Sequence, residues 1–281
     1  MSKIAIVTDS TSDIPKELQE KYDIHVMPLS IIHGDKSYLD GVDIKSDEFY
    51  SILEQSDVLP KSSQPSPDDF IKLYKKLLNE YEEIISIHLS QGLSGTVNAA
   101  FQAKKEIGDK VNVFDSRSIS VGIGLQVLDA AKNRDNGLSS AKIIEKLEEI
   151  KENTETIFTL DTLEYLYKGG RIGKVSNIMG SLLNIKPIIR VEDGIYVPNG
   201  KARSQKAALD KIVKTFEDLA KDRKPISLSV AHGAGLESAK ILRSALEKSL
   251  GIKCEVFTQV GPVIGVHTGP GTIGAAVQYE S

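Results

Sequence analysis

The chain has one cysteine, Cys254, and no tryptophan. A lone thiol forms no intramolecular disulfide and anchors no cysteine-based metal site, and it fits a reducing compartment. The five histidines (His25, His33, His88, His232 and His267) show no ligand spacing, so no metal is expected. Positive charge is also short. With 35 basic against 39 acidic side chains the net charge is −4, which gives a nucleic-acid partner no electrostatic support. No apolar run approaches the length of a membrane-spanning helix. The run Ile4–Val7 is too short for a signal peptide. A cytoplasmic protein with no integral membrane segment is the expectation.

Motifs for familiar chemistries are missing too. No G-x-G-x-x-G follows the first apolar run, which argues against a dinucleotide-binding dehydrogenase. The basic turn Tyr167-Lys168-Gly169-Gly170-Arg171-Ile172-Gly173-Lys174 has only the composition of a phosphate loop. Lys168 stands where the first glycine is required, and Val175 follows Lys174 in place of Ser or Thr. A nucleophile elbow needs G-x-S-x-G, and in Gly92-Leu93-Ser94-Gly95-Thr96 the second glycine comes one position early.

What is present is a globular composition. The 281 residues are 40% hydrophobic and 26% charged, with room for two domains. In the first half, short apolar runs from Lys3, Ile24, Ile84 and Val111 read as strands, the second continuing unbroken through Ile32. Segments from Pro15, Ser46, Ser66, Ser94, Ser118 and Ser139 read as helices. This alternation predicts a parallel, helix-covered, Rossmann-like sheet. After the Glu/Lys-rich helix at 139–153 the rhythm changes. A strand from Glu155 is followed by a helical stretch broken at Gly169-Gly170, then by two strands joined at Asp193-Gly194, a hairpin signal. A helix from Ser204, a strand from Ile226, a helix from Gly235, a strand from Cys254 and a Gly-rich tail complete the chain. The expected architecture is α/β in two domains: an N-terminal domain over 1–155, and an α+β domain with a mixed or antiparallel sheet over 156–281.

Four polar clusters are candidates for chemistry. Thr8-Asp9-Ser10-Thr11 ends the first strand, where parallel sheets line a ligand crevice, although a capped turn explains it equally well. In Ser62-Ser63-Gln64-Pro65-Ser66, Ser66 is a natural helix cap, while Ser62 and Ser63 are left for a ligand or a plain polar loop. Ser90–Thr96 follows a strand and opens a helix. Unpaired amides there favour an anion, and Gly95 permits close approach, with a simple Ser94 cap as the alternative. His267 lies in a loop, His267–Thr272, too Gly-rich to be packed by its own side chains. Arg171 and Arg203 are basic candidates that otherwise read as solvated charges. Together these predict an anion-binding crevice with hydroxyl ligands and no catalytic residue. The rival is a Ser94/His267-dependent acyl hydrolase or acyltransferase, which stoichiometric labelling of Ser94 by a fluorophosphonate would favour. Asp9 would have to orient the histidine, and nothing in the sequence pairs them.

Taken in order, the clusters resemble the DegV family of bacterial fatty-acid-binding proteins along the whole chain. The resemblance rests on IVTDSTSDIP, YLDGVD at 38–43, SSQPSP at 62–67, LSGTVNAA at 93–100, Asp115-Ser116, YKGGRIGK at 167–174, KPII at 186–189, KARS at 201–204 and HTGPGTIG at 267–274. It implies a long-chain fatty acid, such as palmitate, stearate or oleate, buried between the two domains. It implies no other cofactor. It further implies that the protein is the carrier subunit of a fatty acid kinase, not catalytic alone, and that a separate ATP-dependent subunit phosphorylates the carboxylate on the way to phospholipid synthesis. By the same resemblance Ser62 and Ser94 bind the carboxylate, with Gly95 and His267 close by, and Arg171 and Arg203 serve the kinase encounter or phosphoryl transfer. Ser62 departs from the family's usual threonine but keeps the hydroxyl. Apolar positions in Ile119–Leu128 and Ile178–Ile189 are expected to line the tunnel, against the ordinary reading of core packing.

Overall fold

The structure, a computed structural model, describes residues 3–56, 58–181 and 185–280, with the backbone but not the side chains of 178–181. Strand β1 (Ile4–Asp9) passes through a 3-10 turn into α1 (Lys16–Lys21) and β2 (Ile24–Met27). The sequence predicts one strand through Ile32, but β2 stops before Pro28, which has no amide hydrogen for a ladder. The chain leaves the sheet there and forms β3 (Ser30–His33) and β4 (Lys36–Leu39) instead. Then follow α2 (Ser46–Gln55), β5 (Lys61–Ser63), α3 (Pro67–Leu77), β6 (Glu83–His88), α4 (Thr96–Ile107), β7 (Val111–Asp115), α5 (Val121–Asp135) and α6 (Ser140–Glu152). Strands β2-β1-β6-β7 form the parallel sheet that the alternation predicts. The order β4-β3-β5 is a small antiparallel sheet that it does not.

The second half runs β8 (Thr154–Thr159), α7 (Glu164–Lys168), a 3-10 stretch at Gly173–Ser181, β9 (Lys186–Glu192), β10 (Ile195–Ala202), α8 (Gln205–Leu219), β11 (Pro225–Gly233), α9 (Leu236–Leu250), β12 (Cys254–Gln259), α10 (Pro262–Thr268) and β13 (Thr272–Tyr279). Its sheet is mixed, ordered β10-β9-β8-β13-β11-β12, with only β11 and β12 parallel. The β9–β10 hairpin turns at Asp193-Gly194, both at positive φ, as its dipeptide signal requires. The Gly-rich tail is not loop. It supplies α10 and the buried strand β13, inserted between β8 and β11.

Strand β1 is buried throughout, and alternate residues serve two cores. Ala5 and Val7 pack with Phe70 and Tyr74 of α3 and Ala99 and Ala103 of α4. Ile4 and Ile6 pack into the larger cluster that includes Ile123, Val127 and Leu128 of α5. That cluster continues through Phe158, Ile189 and Ala276 of the mixed sheet, so α5 lies between the two large sheets. We propose the domain division at the α6–β8 junction, which no strand pairing crosses; the boundary expected after residue 155 falls two residues into β8, whose Thr154 and Glu155 pair with Gln278 and Val277.

Candidate functional site

The Ser62 segment is shaped by its neighbours. Ser66 caps α3 as expected, in a reciprocal pair with Asp69: Asp69 N donates to Ser66 Oγ (3.2 Å), and Ser66 N donates to Asp69 Oδ2 (2.9 Å). The same loop carries Gln64 against Gly95, where any β-carbon would overlap the Gln64 amide. Gly95, not Ser94, is the N-cap residue of α4. The Ser94 hydroxyl instead accepts from Thr96 N (3.3 Å) and shares a hydrogen with Thr96 Oγ1 (3.0 Å). Among the described residues, the amides of Gly95, Val97 and Asn98 find no acceptor in the protein. The start of α4 therefore presents free donors, as the spacing predicts.

His267 sits not in a loop but on the last turn of α10. Its Nε2 lies 2.7 Å from Ser62 Oγ, while the buried Nδ1 has no partner. Gly169 lies against that edge, and a β-carbon there would overlap Nδ1. Burial first, and then the positive Arg171, push the imidazole down to about 4, so it is neutral at neutral pH. A hydrogen on Nδ1 would be a buried donor without an acceptor. The tautomer that avoids this carries its hydrogen on Nε2 and donates to Ser62. The Ser62 hydroxyl hydrogen is then free to turn toward the cavity.

Ser62, Ser94, His267 and Arg171 line one cavity of about 230 Å³, whose remaining walls include Leu29, Leu89, Leu93, Ile119, Tyr196 and Ile264. Residues from both halves of the chain meet here. Arg171 is held by carbonyls, donating Nη1 to Gly169 O (2.8 Å) and Nε to Leu93 O (3.3 Å), and forms no ion pair among the described residues. Ile119, Tyr196 and Ile264 also border a narrow inner cavity of about 30 Å³ with an apolar wall. Its Ser120, Thr156, Thr268 and Thr272 hydroxyls all bond elsewhere, to Asp13, Ser118 and backbone carbonyls. On the outer side, Ser62, Arg171 and His267 wall a further cavity of about 290 Å³ that Lys61 and Lys168 also line. Of the expected tunnel positions, Ile119 and Val121 reach the inner cavity. The side chains of 178–184 lie outside the described residues.

The other candidates lie elsewhere. Asp9 is fully buried and binds His88 Nδ1 (2.9 Å), Leu89 N (3.1 Å) and Thr11 N (3.0 Å). His88 Nε2 in turn meets Ser86 Oγ (2.6 Å), which accepts from Tyr74 OH (2.8 Å). This chain joins β1, β6 and α3 and lines none of these cavities. Asp9 therefore orients His88, not His267. Ser94 is bonded to Thr96 rather than to His267, so the Ser94/His267 dyad is not assembled. Arg203 is exposed at the β10–α8 junction and borders none of the three cavities. Its neighbour Ser204 caps α8 through Ala207 N (3.2 Å). Sequence reasoning missed Tyr196: the hairpin pattern marks it as inward-facing but does not say what it faces. Among the described residues no group of three or more His, Cys, Asp or Glu side chains is placed to hold a metal ion. No helix there is long and apolar enough to cross a membrane.

The chain was compared with known proteins. The family model described as DegV, a family of uncharacterised proteins, matches residues 3–280. A DegV domain-containing protein of Staphylococcus aureus is 39% identical over 277 residues, 99% of each chain. The structure of a fatty-acid-binding DegV family protein from Thermus thermophilus aligns with a TM-score of 0.94 at 34% identity, over 99% of this chain and 100% of that one. A stearic-acid-binding protein from Eubacterium ventriosum aligns with a TM-score of 0.90 at 30% identity, over 99% and 98% of the two chains.

Proposed function

This chain belongs to the DegV family, and from that premise and the geometry of the cavity we propose that it binds a long-chain fatty acid between its two domains and presents the carboxylate to a separate ATP-dependent kinase subunit for acyl-phosphate formation. One observation carries the reading. A single cavity has the Ser62 and Ser94 hydroxyls and an Arg171 without an ion pair among the described residues at its polar end, with the start of α4 following directly on Ser94, and it adjoins an apolar interior across Ile119, Tyr196 and Ile264. An acyl chain such as palmitate, stearate or oleate gains about 0.8 kcal/mol for each buried methylene. The carboxylate is the costly part, since a buried charge must be paired or hydrogen-bonded. Ser62, Ser94 and the Gly95 amide supply donors, while Arg171, in the wall shared with the outer cavity, is left for the phosphoryl donor. His267 acts through Ser62. By donating from Nε2 it makes Ser62 a donor to the ligand and stays neutral itself.

Presentation to a kinase is supported by the outer cavity. Lys61, Lys168 and Arg171 line it, and among the described residues no acidic side chain does. Lys168 pairs with Glu164 (2.5 Å). An anionic phosphoryl donor would meet positive charge directly outside the Ser62–His267 wall. Arg203, remote from the cavity and exposed, is assigned to the partner's surface rather than to the ligand.

Native mass spectrometry of the purified protein, followed by organic extraction, tests the reading. A fatty acid bound near one to one, and lost from a Ser62→Ala/Ser94→Ala double variant, is expected. A protein that takes up no added fatty acid would sink it. With the cognate kinase, Arg171→Ala and Arg203→Ala are expected to stop phosphorylation while lipid stays bound.

A further inference from the structure

Tyr196 is the one large side chain shared by the polar cavity and the apolar one that has a polar tip. The residue is 3% exposed, and among the described residues its hydroxyl has no hydrogen-bond partner. A buried phenol normally finds one, so a free one facing a cavity points to a ligand atom. The wall of the inner cavity is apolar, which leaves the polar cavity for the hydroxyl. Arg171, in the wall of that cavity, is close enough to act on it. Burial raises the phenol's pKa well above its ordinary value, and the Arg171 charge pulls it back.

The hairpin explains how Tyr196 comes to stand there. Ser90 Oγ donates to Gly194 O (2.7 Å), and a β-carbon on Gly194 would overlap that hydroxyl. A β-carbon on Gly92 would in turn lie 2.7 Å from Gly194 O. The turn of β9–β10 is thus seated on the loop that carries Ser94. Two residues further on, Tyr196 packs edge-on against Phe158, with ring centroids 5.4 Å apart, which fixes the direction of the ring.

We infer that Tyr196 is a head-group ligand: its hydroxyl donates to the fatty-acid carboxylate beside Ser62 and Ser94, and its ring guides the first carbons of the chain inward. This rests on the fatty-acid reading above. It makes the site discriminate a charged carboxylate from a neutral head group of the same chain length, because a hydrogen bond to a charged acceptor is the stronger kind.

The test compares palmitate with hexadecanol on the wild type and on Tyr196→Phe, which keeps the ring and removes only the hydroxyl. The expected result is a loss of about tenfold or more in palmitate affinity, with at most a few-fold loss for hexadecanol and an unchanged melting temperature. Equal losses for both ligands would make Tyr196 a packing residue and overturn the inference. A variant that binds palmitate like the wild type would overturn it as well, leaving the fatty-acid reading intact. A wild type with no preference for palmitate over hexadecanol would also overturn the inference, whereas one that binds neither would remove the fatty-acid reading itself.

Discussion

At the scale of single residues, the site depends on which atom carries a hydrogen. His267 at full charge would put a second cation beside Arg171 in a buried place, and burial rules it out near neutrality. The unfolded chain titrates its histidines near the ordinary value, about 6.5. Between that pH and about 4, the unfolded state therefore holds a proton on this residue that the folded state does not. Its contribution to stability grows as pH rises through that interval and is constant above it. Imidazole resonances followed by NMR are expected to keep His267 neutral with hydrogen on Nε2 down to about pH 4. Titration near 6.5 with a protonated Nδ1 would contradict the relay through Ser62.

At the scale of elements, α10 is the piece that brings His267 to Ser62, and carboxylates from the first half of the chain hold its start. Asp13 Oδ1 accepts from Gly261 N (2.8 Å), and Asp13 Oδ2 accepts from the Ser120 hydroxyl at the start of α5. Asp40 Oδ2 accepts from Val263 N (3.4 Å). Burial is the main cause that pushes Asp13 up to about 8 and Asp40 up to about 7, with Asp9 adding repulsion to both. Here the sign is opposite to that of His267. Above an unfolded value of about 3.9 the folded state keeps protons that the unfolded state has released, so stability falls as pH rises toward about 8. Between pH 6.5 and 8 the histidine term is flat and the decline is carried by these two carboxyls. Melting temperatures across that window are expected to fall for the wild type and to fall less for Asp13→Asn, whose amide accepts from Gly261 and donates to Ser120. Asp13→Ala, which leaves Gly261 N without its acceptor, is expected to lower stability by roughly 1–3 kcal/mol at every pH. A slope unchanged in Asp13→Asn would show that Asp13 is not the titrating group.

At the scale of the whole molecule, the proposed ligand lies in the seam where α5, the two large sheets and α10 meet. Binding there contacts both halves and is expected to stabilise them together. At a free ligand concentration 100 times Kd the gain is about 2.7 kcal/mol, which raises the melting temperature by roughly 5 °C in a chain of this size. Calorimetry is expected to show one transition moving as a unit. A shift confined to one of two resolved transitions would place the ligand inside a single domain.

Much of the architecture was legible without coordinates. The alternating elements, the Ser66 cap, the Asp193-Gly194 hairpin and the open amides at Gly95 all follow from signals a few residues long, because capping and turn formation are decided by neighbours in the chain. The elements that escaped are those whose reasons are distant. The Gly-rich tail carries no element signal because Gly and Ala have little strand preference, yet β13 is a strand because β8 and β11 lie on either side of it. The pairing of His267 with Ser62 spans 205 residues, and that of Gly261 with Asp13 spans 248. Asp9 finds His88 and not His267 because β1 and β6 are adjacent strands. The residue types of the site are thus written in the sequence. Which hydroxyl faces which imidazole, and which phenol joins them, was decided only when two sheets closed on α5.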